Sequence, residues 1–158
     1  MKDFNHIDEN GNAIMVDVSL KKETEREAVA SGTIVVSPKT MGRILEKDVK
    51  KGDVLSVAQL AGIMGAKKTS DFIPLCHPLA LTSVKVELDC DPSSHAINIT
   101  ATCSVTGRTG VEMEALTAVT VAGLTVYDMC KAIDKEMKIT NIRLLSKFGG
   151  RSGKYRAV

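Results

Sequence analysis

Two stretches decide the fold: Val84-Lys85-Val86-Glu87-Leu88-Asp89 and, eight residues on, Ile97-Asn98-Ile99-Thr100-Ala101-Thr102-Cys103-Ser104-Val105. Both alternate apolar and polar residues with a period of two, so each is a strand with one dry and one wet face. Between them, Asp91-Pro92-Ser93-Ser94 supplies the residue types that reverse a chain. The reading is a hairpin over 83–90 and 96–105.

Upstream, the run Ala28–Val36 is rich in β-branched residues near its end and reads as a strand. Ser37-Pro38 then offers an N-cap and a first-turn proline, and Met41, Ile44 and Leu45 follow at helical spacing, so Pro38–Lys47 is a short helix. Gly52-Asp53 opens a second helix, with Val57, Leu60, Ala61 and Met64 on one face. Downstream of the hairpin, Glu112–Lys135 reads as a long helix and Met137–Lys147 as a last strand. The order β-α-α-β-β-α-β, with the short helices as one crossover, predicts an α+β fold of ferredoxin-like split βαβ type. Its four-stranded antiparallel sheet carries the helices on one face. The other face, with its Thr, Ser, Asn and alternating charges, is free to pair with another subunit.

A chain of 158 residues is about one domain, and we expect a single one over 1–158. Residues 1–13 read as a loose arm and 148–158 as a flexible basic segment. Hydrophobic residues are 44% and the net charge is +2, so nothing general points to nucleic acid or an anionic membrane. RNA-recognition domains share this topology, but they stack bases on sheet aromatics, and the two hairpin strands contain none. The first residues lack the apolar core of a secretory signal, and the apolar stretch between Glu114 and Asp128 is too short to span a bilayer. The expected location is cytoplasmic. Cys76, Cys90, Cys103 and Cys130 have no metal-ligand spacing and read as reduced thiols.

Chemistry concentrates in three places. Asp128 and Lys131 stand one turn apart near the end of the long helix, a spacing that suits an ordinary intrahelical ion pair and also a tuned acid and base. Gly107-Arg108-Thr109-Gly110 before Glu112-Met113-Glu114 suits an anion cradle as well as a plain strand-to-helix turn. Pro74-Leu75-Cys76-His77-Pro78 brackets a Cys-His pair with prolines that exclude a helix. The segment Gly149-Gly150-Arg151-Ser152-Gly153-Lys154 is no phosphate loop, because Phe148 stands at the upstream glycine and Tyr155 replaces Ser or Thr. A basic flap over a polyanion remains a reading of it. Asp128 lies fourteen residues beyond Glu114, on nearly the same face but about 21 Å along the axis. A site using both ends of the helix therefore draws them from different subunits.

Met15-Val-Asp-Val-Ser19, Lys51-Gly-Asp53, Ala61-Gly-Ile63, Ile73-Pro-Leu-Cys-His-Pro-Leu79, Thr106-Gly-Arg-Thr-Gly-Val-Glu-Met-Glu-Ala-Leu116, Tyr127-Asp-Met-Cys-Lys131 and Gly149-Gly150 together closely resemble the cyclic pyranopterin monophosphate synthase family of molybdenum cofactor biosynthesis. The resemblance is collinear over almost the whole chain. It implies a homohexamer, a trimer of dimers with sites between subunits, acting as a lyase on 3′,8-cyclo-7,8-dihydroguanosine triphosphate. The implied products are a pyranopterin with a cyclic phosphate, and pyrophosphate. It also implies catalytic roles for Lys51, His77, Asp128 and Lys131, and substrate contacts from Leu75, Cys76, His77, Met113 and Glu114. Arg26, Lys67, Arg108 and Glu112 are further implied pocket members. No residues form a metal cage, so Mg²⁺, if used, arrives with the substrate phosphates. The rival reading is a non-catalytic nucleotide- or pterin-binding oligomeric module on the same fold.

Overall fold

The computed structural model describes residues 5–46, 53–151 and 153–158. In chain order the elements are β1 Thr24–Val35, α1 Pro38–Leu45, α2 Val54–Lys67, α3 Thr69–Phe72, β2 Ser83–Asp91, β3 Ala96–Gly107, α4 Glu112–Cys130, β4 Lys138–Phe148 and β5 Tyr155–Arg156. The sheet runs β2-β3-β1-β4-β5 with every neighbour antiparallel. Its first four strands have the ferredoxin-like order expected from the sequence.

The β2–β3 hairpin pairs Val84 with Cys103, Val86 with Ala101 and Leu88 with Ile99, which puts the apolar members on the helix side. Asp91 closes the turn by accepting bonds from the backbone and hydroxyl groups of Ser93 and Ser94. Those serine hydroxyls draw its pKa down to about 2. β1 adds Ala28, Ala30 and Ile34 to the same dry face, all fully buried with Ile97, Ala101 and Cys103. Helix α4 lies across them. Gly32 lets it settle close, because a Cβ there would stand 2.6 Å from Val119 Cγ1.

The helix starts are capped as their sequences require. Ser37 accepts from Thr40 N at 3.2 Å, and Asp53 accepts from Leu55 N and Ser56 N at 3.1 Å. α4 is shorter than its pattern, ending at Cys130 instead of running to Lys135. The reason is tertiary: buried Asp134 turns back and accepts from Ser37 N at 2.7 Å and from Glu136 N at 3.2 Å. Burial would raise the Asp134 pKa, but these bonds hold it below the ordinary value. β1 begins four residues earlier than expected, at Thr24, and pairs along β3 as far as Gly107.

Two further departures matter. The face of α2 with Val57, Leu60 and Met64 is the outer one, with Leu60 60% exposed, whereas Val54, Ala58, Gly62, Gly65 and Ala66 pack inward. Small residues win the inner face because α2 and α4 approach closely there. The sheet also has a fifth, two-residue strand. After Gly150 the chain returns along β4, pairing Tyr155 with Lys147, and Ala157 N donates to Leu145 O at 2.7 Å.

Candidate active site

β1, β3 and β4 bring Arg26, Gly107 and Lys147 to one end of the sheet. The start of α4 and the Pro74–Leu79 turn line the same cavity, of about 930 Å³. That volume suits a nucleotide-sized ligand. Eight of the residues expected from the sequence line it: Arg26 from β1, Leu75, Cys76 and His77 from the proline-bracketed turn, Arg108 from the glycine-rich turn, and Glu112, Met113 and Glu114 from α4.

Of the remaining expected residues, the three that are described stand elsewhere. Asp128 and Lys131 form an ion pair at 2.7 Å, with side chains 59% and 54% exposed, at the far end of α4. Within one chain they do not face the cavity. Lys67 lines a second, smaller cavity with Ile63 and Leu79–Val84. Lys51 lies outside the described residues.

The cavity also holds Gly149, Gly150 and Arg151 of the glycine-rich basic segment, and residues that sequence reasoning passed over: Lys21, Lys22 and Lys147, with Asn5 and His6 from the N-terminal arm. A lysine doublet is ordinarily solvated, so Lys21 and Lys22 did not stand out. Among the described residues, six cationic side chains (Lys21, Lys22, Arg26, Arg108, Lys147, Arg151) line it against three carboxylates (Glu27, Glu112, Glu114). The excess favours a polyanion.

Backbone geometry supports that surface. Arg26 donates through Nε to Gly107 O at 3.3 Å and through Nη2 to Arg108 O at 3.2 Å, tying β1 to the glycine-rich turn. α4 begins at Glu112 at the cavity end, and its N-cap residue Val111 makes no side-chain cap.

Among the described residues, Glu114 is the one carboxylate of the cavity that is buried, at 3% exposure. Burial lifts its pKa to about 7; its own backbone N–H bond opposes this and neighbouring Glu112 adds to it. A carboxyl near that value exchanges a proton at working pH, as a general acid or base must. Cys76 is raised by burial first, then by Glu114 and Glu112. That is the opposite of what a thiolate nucleophile requires. Among the described residues, no group of three or more His, Cys, Asp or Glu side chains is placed to hold a metal. No helix among them is long and apolar enough to cross a membrane.

Comparison with known proteins places these features in a family. A chain from Rhodospirillum rubrum named cyclic pyranopterin monophosphate synthase is 68% identical over 152 residues, covering 96% of this chain and 92% of that one. Proteins of the same name from Roseiflexus and Heliobacterium modesticaldum are each 56% identical over 155 residues, covering 98% of both chains. The sequence model of the MoaC family matches residues 15–150, and the chain belongs to that family.

Proposed function

We infer that the chain is a lyase of molybdenum cofactor biosynthesis, a cyclic pyranopterin monophosphate synthase. It converts 3′,8-cyclo-7,8-dihydroguanosine 5′-triphosphate to cyclic pyranopterin monophosphate and pyrophosphate. The observation that carries this reading is the cavity at the sheet end, cationic in balance and holding a buried carboxyl poised near neutrality. The 68% identical relative bears the same activity in its name.

The chemistry asks for what the cavity offers. Ring opening and reclosure need proton transfers, for which Glu114, His77, Asp128, Lys131 and Lys51 are the candidate groups. A ribose hydroxyl then attacks the α-phosphorus. A new P–O bond closes the cyclic phosphate, the bond to the pyrophosphate oxygen breaks, and the hydroxyl proton leaves to a base. Arg26, Lys51, Lys67 and Arg108 are the expected phosphate cations, and any Mg²⁺ belongs to the phosphates it accompanies.

The working unit in this reading is a homohexamer, a trimer of dimers, in the cytoplasm. Support comes from the separation of Asp128 and Lys131 from the cavity along α4, which a second subunit resolves by bringing its own helix end. The exposed Val57, Leu60 and Met64 on α2 are a further reason to expect assembly. The deciding experiment is to incubate the purified chain with the cyclised GTP intermediate and follow pyrophosphate. A chain that neither binds the intermediate nor releases pyrophosphate is not this lyase.

A further inference from the structure

Lys147 is a cation on the dry side of a strand, and the reading above leaves it without a task. On β4 it pairs with Ala28, whose side chain is fully buried on the helix side of the sheet. Two bulges in β4, between its pairings with Ser31/Thr33 and with Val29/Ala30, each insert one residue. Their sum restores the alternation, so Lys147 points the same way as Ile139, which pairs with buried Ile34. Its Nζ donates to Glu112 Oε1 at 2.8 Å, with the two side chains 24% and 27% exposed. On the other side of that carboxylate stands Gly110, where any Cβ would overlap the Glu112 oxygens. Glu112 is held between an ammonium and a glycine.

We propose that Lys147 is a positioning residue of the active site, clamping the Glu112 carboxylate back against Gly110 and cancelling its charge where the phosphates enter. The proposal rests on the lyase reading. Lys147 is not itself the phosphate contact. Turning its ammonium to a phosphate would leave the partly buried Glu112 carboxylate uncompensated beside a polyanion, which is the costly way to break such a pair. The clamp also serves Glu114 and Cys76, both of which feel the Glu112 charge.

The test uses the full chain, the cyclised GTP intermediate and pyrophosphate as product inhibitor. Lys147→Gln should lower kcat/KM by about 100-fold, as misplacement of a site group does, and Lys147→Arg should recover most of it. Because Lys147 acts through Glu112, the double variant Glu112→Gln/Lys147→Gln should be no slower than Glu112→Gln alone. Inhibition by pyrophosphate should weaken in Lys147→Gln, where Glu112 is left uncompensated, and should return in the double variant to that of Glu112→Gln alone. Should Lys147→Gln not fold, Gly110→Ala displaces the same carboxylate from the other side, and its loss should likewise vanish in the Glu112→Gln background. Losses that multiply in the double variant, or pyrophosphate inhibition weaker in the double variant than in Glu112→Gln alone, make Lys147 a direct contact and overturn the proposal. Wild-type turnover with an equally active Lys147→Gln also overturns it alone. A wild-type chain that releases no pyrophosphate removes the lyase reading, and the clamp with it.

Discussion

Gly150 lies against the Arg26 guanidinium so closely that a Cβ on it would overlap Nη1. Its φ of +74° is a conformation that side chains adopt at a cost. The glycine turn after β4 and the glycine-rich turn after β3 therefore meet through one arginine, whose other nitrogens hold Gly107 O and Arg108 O.

Gly150→Ala should push Arg26 off those carbonyls. We expect a rise in KM of about tenfold, the worth of one charged hydrogen bond. Strain of roughly 1–2 kcal/mol should lower Tm by about 2–8 °C. Arg26→Lys should match the KM effect, since one ammonium cannot reproduce the guanidinium fork. Steady-state kinetics and thermal melts check both, and unchanged KM in Gly150→Ala would separate the turn from the site.

Glu114 links function to pH-dependent stability. The native carboxyl keeps its proton up to about pH 7, while an ordinary Glu releases it near 4.5. Between those values the native state binds more protons than the unfolded one, so this residue's contribution falls as pH rises, by on the order of 3 kcal/mol at most. It is fully present below pH 4.5 and gone above about 7. Glu114→Gln removes the titration, so its Tm relative to wild type should be higher at pH 8 than at pH 4, while turnover falls. An equal Tm difference at both pH values would show that Glu114 is not held protonated.

The hairpin was legible because β2 and β3 are regular, and alternation survives wherever no residue is inserted. Lys147 was not, because the bulges in β4, with Asn141 at a φ of +56°, break the count that assigns its face. Its partner Glu112 is 35 residues away, beyond any local pattern. The end of α4 was misplaced for a similar reason: Asp134 is fixed by Ser37, 97 residues earlier. The inner face of α2 was hidden because apolar residues lie on both its sides, and the larger ones are outside. The glycine-rich turn and the proline-bracketed Cys-His pair were visible as unusual strings. That they share a cavity with Lys21, Lys22 and Arg151 depends on strand pairing.

Two glycine-to-alanine changes should move stability in opposite directions. At Gly62 in α2 a Cβ would stand 2.9 Å from the backbone oxygen of Ala118 in α4 and 3.2 Å from Val86 Cγ1. The helices must separate to admit it, and we expect a loss of about 1–3 kcal/mol. At Gly42 in α1 nothing lies within 4 Å of the added atom. Gly42→Ala should therefore stabilise by roughly 0.4–1 kcal/mol through the unfolded chain. Urea unfolding of the two variants side by side reads the contrast, and equal shifts would contradict close α2–α4 packing.

The Asp128–Lys131 pair is well formed at 2.7 Å, yet more than half of each side chain is exposed. Such an exposed, solvent-screened pair adds little to the stability of a helix. Its side-chain bond to Asp128 raises the Lys131 pKa, so the lysine stays charged over the working range. Asp128→Asn should leave Tm within about 2 °C of wild type, given that small energy. Turnover should nevertheless be lost if the pair serves a neighbour's cavity. Mixing decides where it acts. His77→Ala subunits carry an intact Asp128, and Asp128→Ala subunits an intact His77. Co-refolded, some interfaces pair the two intact residues across subunits, and a fraction of activity should return although neither parent has any. Near-normal turnover by Asp128→Asn would take the aspartate out of the mechanism. Inactive mixtures that still assemble would mean that both residues must come from one chain, and the roughly 21 Å along α4 between Glu114 and Asp128 would then need another explanation than a shared site.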